Sequence, residues 1–143
     1  HYVHMIFQHM VNQLHHQYRY FKEIEILGCN TDQIWTNFFC GLKFQSVDFS
    51  DCQNIKYFSP YAFSSIADFL ETLNLSLFHS SAQVWSNVFE GIRYLSTLKR
   101  LQLLGFDRLV IPEKAFQSST SSPLSLTDIH FNNGLGEHLM KVA

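Results

Sequence analysis

Eight histidines and three cysteines are the side chains of this chain best suited to metal or nucleophilic chemistry. His1, His4, His9, His15 and His16 crowd the start of the chain. Imidazoles so grouped could hold a metal or respond to mild acid. No HExxH pair is present to fix two of them on one helical face. No strand motif lies there to position ligands either, so these histidines are expected as exposed side chains on a ragged end. Cys29, Cys40 and Cys52 lack the CxxC spacing of a structural zinc site. Serine and histidine occur without the GxSxG turn that exposes a nucleophile. Glu23 and Glu25 sit two apart, as on an open strand face and not in a cleft. A P-loop and a dinucleotide fingerprint are both missing. The expectation is a protein that is not an enzyme and carries no metal or other cofactor.

Composition narrows the remaining classes. The 143 residues are 46% hydrophobic and 15% charged, with a net charge of −2. That length suits one domain with a substantial core. The charge balance argues against a basic nucleic-acid face and against disorder. No run approaches 18 consecutive apolar residues, so no membrane span is expected in this segment. The chain starts at His1 with no recognisable signal peptide. Three cysteines cannot form a complete internal disulfide framework. Phenylalanine, at 14 residues, is in marked excess.

The elements that must position any site come from an internal repeat. An apolar residue is followed by others three, two and three positions further on. Phe21, Ile24, Ile26 and Cys29 fit, as do Phe44, Val47, Phe49 and Cys52. Leu70, Leu73, Leu75 and Phe78 fit next, then Leu98, Leu101, Leu103 and Phe106. Leu126, Ile129 and Phe131 fit again, with Gly134 in fourth place. The starts are 23, 26, 28 and 28 residues apart. A second pattern follows 13 or 14 residues after each start: Ile34, Phe39, Leu42; Phe58, Phe63, Ile66; Val84, Phe89, Ile92. Ile111 and Phe116 continue it until Ser119 breaks the third place. Ile6, Val11 and Leu14 show the same spacing ahead of the first full repeat, and Leu139 falls where the next would begin.

The segments FKEIEILGC (21–29), FQSVDFSDC (44–52), LETLNLSLF (70–78) and LKRLQLLGF (98–106) resemble the strand motif LxxLxLxxN of the leucine-rich repeat family. The second pattern is similar to the back half of the type found in animal extracellular proteins. FSPYAFSSI (58–66) carries that type's Pro and Ala-Phe pair. The resemblance covers nearly the whole chain. It implies an α/β fold, a leucine-rich-repeat solenoid or horseshoe with a parallel concave sheet. Its convex side would be built of loops, 3₁₀ turns or short helices.

Physical reasoning leads to the same expectation. The last two apolar places of each strand motif lie two apart and face one side. A single short strand cannot bury that side, but stacked copies pair into a sheet over a continuous core. The second element returns along the opposite wall, its spacing suiting loops or short turns rather than a long helix. Phe39, Phe63, Phe89 and Phe116 would then stack in a column. Residues 117–125 (QSSTSSPLS) read as a surface excursion. The chain opens on a return element, with no strand before it unless Val3 supplies one. Residues 1–143 are thus expected to be a single partial array of about five coils, cut at both ends and without caps.

Concave sheets of repeat proteins are extended binding surfaces. One outward column runs Glu25, Asp48, Asn74, Gln102, His130, and with Lys99 and Arg100 it forms the expected ligand-binding face. Glu25 and Asp48 would be like-charged neighbours, a weak pointer to a partly basic ligand. Asn74-Leu75-Ser76 is the sole glycosylation sequon. Cys29 and Cys52 share the bend position of adjacent coils. They are expected as small buried thiols, with a disulfide as the alternative because neighbouring coils lie within bridging range. Cys40 has no obvious partner.

Irregular repeat lengths, Phe-rich return elements and segments such as LETLNLS are most similar to a Toll-like innate immune receptor ectodomain. The resemblance implies a pattern-recognition role on the extracellular side of the cell membrane or in the endosomal lumen. It implies a protein or microbial ligand on the concave or lateral face, and receptor homo- or heterodimers. Membrane attachment and signalling would come only through parts outside this segment, and no nucleic-acid partner is indicated. A hormone-receptor or adhesion ectodomain of the same repeat type is a second possibility. A third is an intracellular adaptor, such as a ubiquitin-ligase substrate-recognition arm. Such arms also place Cys at the bend but usually carry a true helix on the return wall.

Overall fold

Positions that repeat along the sequence pair with one another in space. The computed structural model describes residues 2–29, 31–105, 111–132 and 137–141. Among these residues the strands β1 (Tyr20–Leu27), β3 (Lys43–Gln53), β5 (Thr72–Phe78), β6 (Arg100–Leu104), β7 (Asp128–Asn132) and β8 (Glu137–Lys141) form one six-stranded sheet. The first five run parallel in that order, and β8 closes the edge antiparallel to β7. The fold is therefore α/β with a five-stranded parallel sheet. Two further strands, β2 (Gln33–Ile34) and β4 (Tyr57–Phe58), pair in parallel away from it.

The register follows the repeat. Ile24, Val47, Leu73, Leu101 and Ile129 are successive partners, and so are Ile26, Phe49, Leu75, Leu103 and Phe131. From β3 onward every member of both rows is buried. A slip of one residue would turn these rows to water, so apolar burial fixes the pairing. Ile24 and Ile26, on the edge strand, are only partly covered.

The return segments close the other side of this core. Ile34, Phe39 and Leu42 are fully buried, and Phe58, Phe63 and Ile66 nearly so. The rings of Phe39 and Phe63 stack with centroids 6.1 Å apart, and those of Phe89 and Phe116 meet edge to face at 6.4 Å. Backbone bonds lace neighbouring returns together, from Asn37 N to Tyr61 O and from Phe38 N to Ala62 O, both 3.0 Å. The second return contains a 3₁₀ turn over Ser64–Ile66. The third is a full helix, α2 (Ala82–Ile92), longer than its spacing predicted. Ser81 caps it by accepting a bond from Val84 N at 3.2 Å. Val84, Trp85, Val88, Phe89 and Ile92 then fall on one buried stripe. In the fourth, Ile111 and Phe116 are partly buried and Ser119 is exposed.

Several expectations need correction. The start of the chain is not ragged. It forms helix α1 (Tyr2–Gln13), so Val3 supplies no strand. Phe7 enters the core there, at 4% exposure, while the expected Ile6 is 43% exposed. Helical phase selects Phe7, Met10, Val11 and Leu14, and Arg19 anchors the helix end by donating to Val11 O at 2.8 Å and Leu14 O at 3.1 Å. The third repeat bends at Leu77, not at Phe78. The strand there keeps alternating, so Leu77 is buried and Phe78 is half-exposed. A bulge between Phe49 and Cys52 absorbs one residue and pairs Cys52 with Leu77. Leu139 lies in β8, so it begins no return element. Phe106, Asn133 and Gly134, which the repeat also used, lie outside the described residues, as does His1.

Cys29 and Cys52 are joined in a disulfide, where two thiols were expected. Parallel register brings their Cα atoms to 4.8 Å, well inside bridging range. Cys40, on the return wall, is outside the disulfide; its Sγ donates to Phe38 O at 3.8 Å, and burial raises its pKa.

Candidate ligand-binding face

Parallel sheets are usually covered on both faces and read as unbroken apolar runs. These strands instead alternate, with polar residues between the buried ones. One face is therefore left open. Its central row is Glu25, Asp48, Asn74, Gln102 and His130, each the direct partner of the next. All five residues expected in that column are thus brought together. Glu25 is exposed and the other four are half-buried. Strand spacing sets neighbouring members about 4.8 Å apart.

Charge is unevenly spread across this face. Among the described residues no salt bridge reaches Glu23, Glu25 or Asp48. Asp48 Oδ1 accepts a bond from Ser50 Oγ at 2.9 Å, which satisfies part of its demand. The adjacent row holds Glu23, Ser46, Thr72, Arg100 and Asp128.

Lys99 and Arg100 are less available than the sequence suggested. Lys99 Nζ lies 3.0 Å from Glu71 Oε1, and Arg100 Nε lies 3.8 Å from Asp128 Oδ2. Gln45 Nε2 donates to the other Glu71 oxygen at 2.7 Å. The Lys99 and Gln45 bonds hold the Glu71 carboxyl below its ordinary range. Both cations remain largely exposed, at 57% and 73%, so each pair is weak and exchangeable. The face thus has an uncompensated acidic end on β1 and β3 and an internally paired end on β5 to β7.

Asn74 stands mid-strand in β5, between Asp48 and Gln102. Leu75 beside it is buried and Ser76 half-buried. A glycan on Asn74 would rise from the centre of the open face.

The opposite wall carries a feature that the sequence did not reveal. A cleft of about 260 Å³ is lined by Pro60, Tyr61, Phe63, Ala67, Tyr94 and Leu95, among others, with Gly91 and Thr120 on its boundary. The Tyr61 and Tyr94 rings stand 5.6 Å apart. Outward residues on a return segment have no periodicity, so no pattern in the sequence pointed to it. Among the described residues no group of three or more His, Cys, Asp or Glu side chains is placed to hold a metal. No described helix is long and apolar enough to cross a membrane. Comparison with protein-family models, with characterised proteins and with solved structures found no match.

Proposed function

We propose that this chain is a ligand-recognition segment of an extracellular leucine-rich-repeat receptor, of the Toll-like innate immune kind. In this reading the parallel sheet is the inner wall of a solenoid and the return segments are its outer wall. The observation that carries it is the in-register row Glu25, Asp48, Asn74, Gln102, His130 on a face left open to solvent. Five adjacent strands present one polar residue each at a fixed spacing. That is how a repeat protein displays an extended contact surface. The ligand is a protein or microbial molecule with a basic portion, seated over Glu25 and Asp48. The Cys29–Cys52 disulfide supports an oxidising compartment, such as the cell exterior or the endosomal lumen.

The test is binding by the full chain displayed on animal cells. The probes are lipopeptide, lipopolysaccharide, flagellin and a lysine-rich peptide. Capture of one probe, weakened at least tenfold by Asp48→Lys with Gln102→Lys, supports the reading. Capture of none, or capture that ignores both substitutions, overturns it.

Helix α2 favours a second reading, the intracellular adaptor, because such arms carry helices on the return wall. The disulfide weighs against it. Reduced Cys29 and Cys52, with no glycan on Asn74, in the full chain isolated from its own cells would favour the adaptor.

A further inference from the structure

We infer that residues 119–122 are a site of O-linked glycosylation, with Ser119, Ser121 and Ser122 as acceptors; this rests on the extracellular reading. The loop between Phe116 and Leu126 is pinned at both ends. Arg93 Nε donates to Gln117 O at 3.0 Å, and Ser119 N donates to Arg93 O at 2.9 Å. At the far end Ser125 Oγ donates to Ser96 O at 2.7 Å. Between these anchors the loop is held by its own hydroxyls. Ser118 Oγ reaches Thr120 O and Ser122 O, and Thr120 Oγ1 donates to Ser122 O at 3.0 Å. Ser118 Oγ and Thr120 Oγ1 also accept from the backbone N–H of Thr120 and Ser122.

That network divides the hydroxyls into two sets. Those of Ser118, Thr120 and Ser125 shape the loop. Among the described residues, those of Ser119, Ser121 and Ser122 make no hydrogen bond, and all three serines are exposed. Pro123 biases Ser122 toward extended backbone. A hydroxyl-dense stretch with proline is the composition of O-glycosylated segments.

Charge selects sugar over phosphate. No charged residue lies between Lys114 and Asp128. The nearby Arg93 is already spent, with Nη1 3.0 Å from Glu90 Oε2 and Nε on the loop. A phosphate would arrive with about two negative charges, and Arg93, the described cation bonded to this loop, is already engaged. A neutral sugar needs no cation. In the transfer, serine Oγ bonds the anomeric carbon of a nucleotide sugar. The bond from that carbon to phosphate breaks, the nucleoside diphosphate leaves with the electron pair, and the hydroxyl proton passes to the transferase's base. Thr120 borders the return-wall cleft, so glycans here would shield that cleft. The polar sheet face would stay open.

The test is mass analysis of the full chain secreted from animal cells. Trypsin releases residues 115–141 as one peptide, which contains no N-glycosylation sequon. The expected result is the added mass of hexosamine plus hexose, localised to Ser119, Ser121 or Ser122 and lost in the Ser119→Ala, Ser121→Ala, Ser122→Ala variant. An unmodified peptide from a chain recovered in the medium overturns the site and leaves the extracellular reading standing. An unmodified peptide from a chain confined to the cytosol overturns both. Phosphate on the loop, or sugar localised to Ser118 or Thr120, also overturns the assignment.

Discussion

Glu25 lies directly opposite Asp48 on neighbouring parallel strands, on the open face of the sheet. Their backbones stand about 4.8 Å apart by strand spacing, and among the described residues neither carboxylate has an ion pair. Like charges so placed cost about 0.2–1 kcal/mol. Glu25→Gln should therefore raise stability by that amount in urea unfolding, and the gain should shrink as salt screens the pair. A loss of stability would mean that Glu25 makes a favourable contact beyond those described. A ligand that supplied the opposite charge would relieve such repulsion, which is the basis for proposing a basic one.

Cys29 and Cys52 link the bends of the first two repeats across 23 residues. A cross-link closing a loop of that size stabilises a fold by about 3 kcal/mol, chiefly by restricting the unfolded chain. Cys29→Ala with Cys52→Ala should lower the urea midpoint accordingly, whereas Cys40→Ala should have a much smaller effect. Alkylation provides an independent check. The denatured, unreduced chain should take up one alkyl group, on Cys40, and the reduced chain three. Three groups before reduction would show that the thiols are free.

What could be read from the sequence follows from how local each cause is. The strand rows were legible because their apolar places alternate, and the register was legible because the repeats hold one phase. Phe7 was missed because a loose five-then-three spacing fits Ile6, whereas a real helix repeats every three to four residues. Helix α2 was partly written in the chain. Ser81 precedes an apolar stripe at Val84, Val88 and Ile92, yet the repeat spacing alone reads as loop. The bend was placed at Phe78 because β3 takes its three-residue step to Cys52 through a bulge, whereas β5 simply goes on alternating and buries Leu77. The engagement of Lys99 and Arg100 depends on how far long side chains reach across strands, which no one-dimensional pattern contains. The disulfide depended on the same cross-strand distance, so spacing could list it only as an alternative.

Gly91 lets α2 settle against the preceding return. A β-carbon built there would stand 2.6 Å from Pro60 O, a backbone atom that cannot swing aside. Alanine is the better helix former by roughly 0.8–1 kcal/mol, so propensity alone would make Gly91→Ala stabilising. The clash must exceed that gain, because overpacking costs about 1–3 kcal/mol. The net expectation is destabilisation in thermal unfolding, with altered fluorescence from the Tyr61–Tyr94 cleft that Gly91 borders. A more stable variant would mean that α2 packs less closely on Pro60 than the geometry indicates.

Phe63 stacks on Phe39 in the central column and also touches Phe49 and Phe58. Removing a buried ring of this kind costs about 3–5 kcal/mol, from lost transfer energy and the cavity left behind. Phe116 is only partly buried, near the open end of the same column. Phe63→Ala should thus destabilise the chain more than Phe116→Ala in matched urea titrations. Equal losses would argue against a continuous column.

Glu71 offers the clearest pH dependence. Its carboxyl is held below the ordinary range first by the Lys99 bond and then by Gln45. The folded chain therefore keeps this group ionised to lower pH than the unfolded chain does. The unfolded state binds more protons as pH falls through the carboxylate range. Stability from Glu71 is present above its unfolded pKa and is lost as pH drops through the folded value. A carboxyl-carbon NMR titration should place the Glu71 midpoint below that of a free glutamate. Lys99→Met should move it upward, and Gln45→Leu should do so by less. A midpoint unmoved by Lys99→Met would break the link between the ion pair and the shift. It would also return Lys99 to the set of cations free to meet a ligand on the open face.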